Sequence, residues 1–458
     1  MQRKKLYIAL NIILSCSAAL GTRAQVTVTI PAANITGQTD YSVIGTNGTA
    51  NAAVFSSITV SSTTASLPAT TSGTASPLPL TPIYIQGNTV ASLALGSTTE
   101  VNLSTSPLSI AYAAIALSGA FTVKYRMAIA TTAWLAGTYS TNLTFTNVAP
   151  VAQSLTIVVP AILTLGTPVA TTSSLAVSSL AAFRTGGGVS VANTFNYQAT
   201  VPTMITLKAS GTPFTFTTTQ LYNSTPVADA NKLSATLSGT NGSGSPINLS
   251  TTDQAISIAS IPVVVTNTTG TLTSTLSISA ANLKSSFAQA GTYTLPLVYT
   301  IAKTSAAYPP TLAAATMNTS VQLTIPKILE LTIPATTVSL NFTTAAAYRL
   351  GLTAVASNPI TLSSTVPYSV TVTGNGNFTS GSNTIPIGVM IVEGAAGQTG
   401  VVSLPLTNAS QSLISAANPV IDRAVNLQFR IPSAQTPNLL NKPAGTYSTS
   451  ITFTIVAP

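Results

Sequence analysis

Apolar and polar residues alternate with period two along most of the chain. VTVTI from Val26, TLSIS from Thr275, YSVTVTG from Tyr368 and NLQFRI from Asn426 each put aliphatic or aromatic side chains on one face and mostly hydroxyls or amides on the other. That period predicts half-buried β-strands. Gly, Pro, Asn and Ser bound the runs, and Thr and Val suit a pleated surface. Helical spacing is nearly absent; residues 280–287 and 311–317 alone predict a helical turn or two.

The pattern also repeats on a longer scale. LAGTYSTNLTFTNVAP from Leu135, QAGTYTLPLVYTIAK from Gln289 and PAGTYSTSITFTIVAP from Pro443 are variants of one phrase, and their tyrosines, Tyr139, Tyr293 and Tyr447, stand 154 residues apart in both intervals. A second phrase recurs as VTVTIPA at Val26, LTIVVPAILTL at Leu155 and QLTIPKILEL at Gln322, and a third as VPTMITL at Val201 and VPYSVTV at Val366. Solenoid repeats run to about 20–45 residues, so this period means whole domains in tandem. The expected organisation is all-β, three tandem Ig-like (Greek-key) β-sandwich domains after a leader: 1–24 signal peptide, 25–158, 159–322 and 323–458.

In each AGTY the glycine lets the chain turn sharply into a strand whose first large side chain is tyrosine. Burying the ring and bonding the hydroxyl back to the backbone would make a tyrosine corner of the Greek-key type. Tyr139, Tyr293 and Tyr447 are therefore expected to be structural. The phrase AGTYS followed by alternating Thr, Ile and Phe resembles the closing segment of bacterial spore-coat-protein-U-like and fimbrial subunits and of bacterial surface Ig-like modules. It covers about fifteen residues per unit, and the chain departs from the spore-coat pattern in lacking its cysteines and in carrying three units. The resemblance implies an exported β-sandwich used in surface structures or attachment.

Composition points outside the cell as well. Only 5% of the residues are charged, 16 Lys plus Arg against 7 Asp plus Glu, while 45% are hydrophobic. Hydroxyls and amides must supply most of the polar surface, unlike an average globular protein with about 25% charge. Arg3, Lys4 and Lys5, the apolar run 6–14 and Thr22-Arg23-Ala24 have the order of a cleavable leader. A membrane anchor and a lipid on Cys16, in a loose ILSC lipobox, are the rival readings. Without the leader, 12 basic side chains face 7 acidic ones. The surplus is scattered, so a nucleic-acid partner is not expected, and the mature chain has no expected membrane span.

The chemistry of catalysis is thin. There is no histidine, and Cys16, the sole cysteine, leaves with the leader. That removes the Ser-His-Asp arrangement, the commonest zinc ligand and thiol chemistry together. The carboxylates Asp40, Glu100, Asp229, Asp253, Glu330, Glu393 and Asp422 stand alone in sequence, although folding can pair two for glycoside hydrolysis. Arg184 followed by TGGG lacks the spacing of a phosphate loop and reads as a flexible turn. No cofactor, no metal and no enzymatic activity are expected.

Trp134, the only tryptophan, has two readings: an exposed platform that stacks on a sugar, or a plug at the end of a core. Two readings also attach to the second repeated phrase. If SLTIVVP and SVQLTIP complete their sandwiches, the third unit, which stops at Pro458 without such a strand, has an open edge, and VTVTIP is a spare copy. Open edges template pairing, and strand donation would then link copies head to tail. Otherwise VTVTIP is simply the first strand of the first unit, and each joining strand belongs to the unit after it. The expected role is structural or adhesive at a bacterial surface, as a fibre or pilus-like subunit. A glycan- or protein-binding adhesin acting through tip loops and an outer-membrane β-barrel are the alternatives.

Overall fold

Alternation becomes sheet structure throughout the computed structural model, which describes residues 24–457 apart from 71–75, 92, 96–97, 240, 264–268 and 309–310. The leader and Cys16 lie outside the described residues, Ala24 excepted. The chain is nearly all β, arranged as sheets packed in sandwich-like pairs. Tyr368–Gly374 buries every second residue, Tyr368, Val370, Val372 and Gly374, as its sequence predicts. Residues 280–286 form a helix, with the Ser279 hydroxyl accepting from the Asn282 N–H as its cap. Residues 311–317 do not: Ala315–Ile325 is a strand, paired at all eleven positions with Gly291–Lys303. That continuous pairing outweighs the weak helical preference of the alanines at 313–315.

Among the described residues the buried side chains form three clusters. One joins Val26 to Ile162, the second centres on residues 163–325, and the third runs from Val338 to Phe453. Leu323 and Ile325 belong to the second cluster, slightly past the border expected at 322. Each cluster lies between sheets whose strand orders have two open ends, and apolar residues face inward. A lipid-spanning barrel would close on itself and turn that face outward; the outer-membrane β-barrel reading is corrected accordingly. No helix of the described residues is long and apolar enough to cross a membrane.

The first two units share one edge. In the first, the tyrosine strand Gly137–Phe145 runs antiparallel to a closing strand, Ala152–Val159, which in turn runs parallel to a leading strand, Gln25–Thr29. In the second, Gly291–Lys303, Ala315–Ile325 and Thr172–Ala176 repeat this order and these directions. Each joining strand thus completes the unit before it, and residues 25–29 serve as the leading strand of the first.

Candidate functional site

The third unit is built differently at this edge. Its tyrosine strand, Gly445–Val456, pairs directly and antiparallel with the leading strand, Thr337–Phe342. Leu340 faces Tyr447, the place held by Ile157 opposite Tyr139 and by Leu323 opposite Tyr293. The leading strand has moved into the closing-strand slot, and it fills only the half nearer the tyrosine. It reaches Ser450, after which the Ile451 N–H still finds Thr336 O at 2.7 Å.

Beyond Ile451, residues 452–456 pair with Ser369–Thr373 on the opposite side, and no strand is paired with them on this one among the described residues. Backbone N–H groups alternate sides along a strand. Those of Phe453 and Ile455 therefore point the same way as that of Ile451, into the vacant half. In the second unit the equivalent Tyr299 and Ile301 face Met317 and Ala315 of the closing strand. Here a cavity of about 210 Å3 opens instead, lined by Pro334, Val338, Ile360, Leu427, Phe429 and Phe453 among others. Thr337, Ser339, Ser357 and Asn358 share the lining, so the trough is of mixed polarity. A partly apolar trough beside unpaired strand donors is suited to an extended peptide segment with alternating side chains.

The three tyrosines hold the other end of these strands. Tyr139 Oη donates to Leu135 O at 2.7 Å, Tyr293 Oη to Gln289 O at 3.0 Å and Tyr447 Oη to Pro443 O at 3.0 Å, each four residues back. Burial pushes the Tyr139 phenol up to about 12 and raises that of Tyr293 as well, so both remain donors at any physiological pH. Trp134 is fully buried in the first cluster, and its Nε1 donates to Ile129 O at 3.1 Å. It offers no exposed face on which a sugar could stack.

Folding does bring carboxylates together, around arginines. Arg126 holds Asp40 at 2.6 Å and Glu100 at 2.8 Å; Arg430 holds Glu393 at 2.8 Å. Arg184, read in the sequence as the start of a loose turn, reaches into the third unit to hold Glu330 at 2.5 Å and Asp422 at 3.1 Å, with Lys284 on the far oxygen of Asp422 at 3.4 Å. The Arg126 hydrogen bond lowers the Glu100 carboxyl, and Arg430 brings Glu393 down to about 2. Burial pushes Asp422 up, but the Arg184 and Ser363 hydrogen bonds and the charges of Arg184 and Lys284 leave it below the usual range. A glycosidase acid needs a raised carboxyl that keeps its proton; these are shifted the opposite way. Among the described residues no cluster of three or more His, Cys, Asp or Glu could hold a metal.

The depressed carboxyls set a direction for acid stability. Their folded pKa lies below the unfolded value of about 4. The stabilisation is thus complete above that value and lost as pH falls from it toward the folded pKa, about 2 for Glu393. The third unit and its contact with the second carry Glu393 and Asp422, whereas the pair inside the second unit is Lys208 with Asp253 at 3.1 Å. Digestion with pepsin at pH 3 is expected to release the third unit before it cuts the second. Equal resistance of the two would contradict the assignment.

No protein-family model and no curated protein sequence matches the chain. Among solved structures it is similar to a point mutant of CfaE, the CFA/I adhesin of enterotoxigenic Escherichia coli, at 14% identity over 66% of this chain and 98% of that one, with a TM-score of 0.29. The CsuC–CsuE chaperone–tip adhesion subunit pre-assembly complex of Acinetobacter baumannii Csu pili gives 15%, 64%, 99% and 0.29. The CupB6 tip adhesin of Pseudomonas aeruginosa gives 11%, 65%, 94% and 0.27. Likeness of this degree carries no argument about assembly or function.

Proposed function

We propose that the protein is a non-catalytic structural or adhesive component of a bacterial cell surface, and that copies are joined by an extended segment taken up at the half-empty edge of the third unit. The observation that carries this reading is the unpaired half of the edge, with the Phe453 and Ile455 donors on its open side and a trough beside Phe453. Support for an exported location comes from the leader-like first residues and the hydroxyl-rich, charge-poor composition.

The occupant with the right pattern is residues 25–31 of a second copy. In its own unit that segment places Val26, Val28 and Ile30 in the core as a five-residue parallel edge strand. Moving it to a slot lined in part by Val338, Ile360, Phe429 and Phe453 keeps its apolar face covered, the logic of domain swapping. Parallel pairing is also slightly the weaker kind.

A synthetic peptide of residues 25–31, added at millimolar concentration, is expected to protect the amides of residues 452–456 from exchange. Ile455→Pro removes one edge donor without touching the ladder to Ser369–Thr373, a placement that strands tolerate. It is expected to weaken peptide uptake roughly tenfold, as loss of one hydrogen bond to an otherwise buried partner does. No protection by the peptide, or protection that Ile455→Pro leaves intact, sinks the reading.

A further inference from the structure

The two junctions inside the chain are copies of one another. At the first, the Ala136 N–H donates to Thr200 O at 2.7 Å; at the second, the Ala290 N–H donates to Thr365 O at 2.7 Å. Each threonine also ties down its own linker. Thr200 Oγ1 donates to Pro160 O and accepts from the Ile162 N–H, while Thr365 Oγ1 donates to Pro326 O and accepts from the Ile328 N–H, all at 2.7–2.8 Å. The next residues, Val201 and Val366, are fully buried.

Among the described residues, one half of this junction stands without a counterpart on the third unit and the other half on the first. Ala444 is the third copy of the donor alanine; it is exposed, whereas Ala136 and Ala290 are buried. Around it lie the exposed side chain of Leu440 and a hollow of about 390 Å3 that Tyr348 and Leu439 also line. The Tyr348 hydroxyl is buried there without a hydrogen-bond partner.

Strand register identifies the other half. Ser62 faces Leu143 as Ala209 faces the equivalent Leu297, so counting back makes residues 53–55 the first unit's version of 200–202. Here the corner is open, with Val54 48% and Phe55 75% exposed. The Phe55 N–H donates to Ala113 O at 2.7 Å, which sets the turn carrying exposed Ile115 alongside. Phe55 sits at φ +63°, a conformation that a phenylalanine on a freely solvated turn has little reason to hold.

We infer that these faces are two halves of one interface between copies: the 53–55 corner of one chain seats against Ala444 and Leu440 of the next, repeating the internal junction. The inference rests on the reading of the protein as an assembling component, yet it uses a different surface. The strand trough lies at the end of the third unit that meets the second, whereas Ala444 lies at the opposite end. Position 53 is alanine, so the linker clamp is absent, and the Ala53 carbonyl already accepts from Ser56. Apolar burial of Val54 and Phe55 must carry the contact, which is accordingly weaker than the internal ones and concentration-dependent.

The test pairs Ala53→Cys with Ala444→Cys in a Cys16→Ser chain. Oxidation is expected to give a ladder of covalent multimers, where each single variant gives dimers at most. Phe55→Asp, at an exposed position, is expected to leave thermal unfolding unchanged and to weaken association roughly thirtyfold, as loss of an interface anchor does; Phe55→Asn, which suits the left-handed turn, is expected to act likewise. A double-cysteine chain that forms no more than the single variants do, or a ladder that survives both changes at Phe55, overturns the inference. Ile455→Pro separates the two surfaces: the ladder is expected to persist in it, because the end face does not use the trough. A ladder without peptide protection of 452–456 fails the strand reading alone, and peptide protection without a ladder fails the end-face inference alone.

Discussion

Trp134→Ala is expected to destabilise the first unit by about 3–5 kcal/mol, the usual cost of removing a large buried aromatic side chain. The ring is completely shielded among the first cluster, and its Nε1 is the partner of Ile129 O, so truncation leaves both a void and an orphaned carbonyl. Thermal unfolding should show the first unit melting earlier while the transitions of the other two hold their positions. Retained stability combined with lost glycan binding would instead restore the sugar-platform reading.

The second large effect belongs to the junctions. Thr365→Val keeps the shape of the side chain and removes only its hydroxyl, leaving the Pro326 carbonyl and the Ile328 N–H without their partner at a fully buried site. Each orphaned group costs about 1–3 kcal/mol, so roughly 2–6 kcal/mol should be lost between the second and third units. Thr200→Val should act in the same way between the first and second. Limited proteolysis reads the effect directly, as new cleavage near 326–328 or 160–162. Were Thr365→Val to cut no faster than the unchanged chain, the threonines would not be holding the linkers.

Much of this fold is legible in the chain itself, because strand burial follows the two-residue period and the repeated phrases mark equivalent places. The edge itself is only half legible, because the phrase written as SLTIVVP and SVQLTIP fits equally as the last strand of one unit or the first strand of the next, and only the pairing decides. Its present occupant is not legible, because TVSLNF at Thr337 looks like any leading strand, and only pairing reveals that it has crossed into the neighbouring slot. The recurrence of VPTMITL as VPYSVTV is visible in sequence, but the role of the threonine before each depends on a distant backbone donor, Ala136 for Thr200 and Ala290 for Thr365.

The charged junction shows a harder limit. Arg184, Lys284, Glu330 and Asp422 are spread over more than half of the chain, with no local pattern to link them. Asp422 moreover adopts φ +56°, with its N–H held by Ser363 Oγ at 2.9 Å. A conformation of that kind belongs to the assembled junction rather than to its neighbours in sequence. Trp134 stays undecided in sequence for a related reason: plug and platform use the same residue, and only burial separates them.

Amide exchange along Gly445–Val456 tests the central claim most directly. In the isolated chain, Phe453 and Ile455 should exchange far faster than their equivalents Tyr299 and Ile301, and should become protected once copies associate. Protection of Phe453 and Ile455 equal to that of Tyr299 and Ile301 before any association would mean the edge is already closed, and would contradict the account.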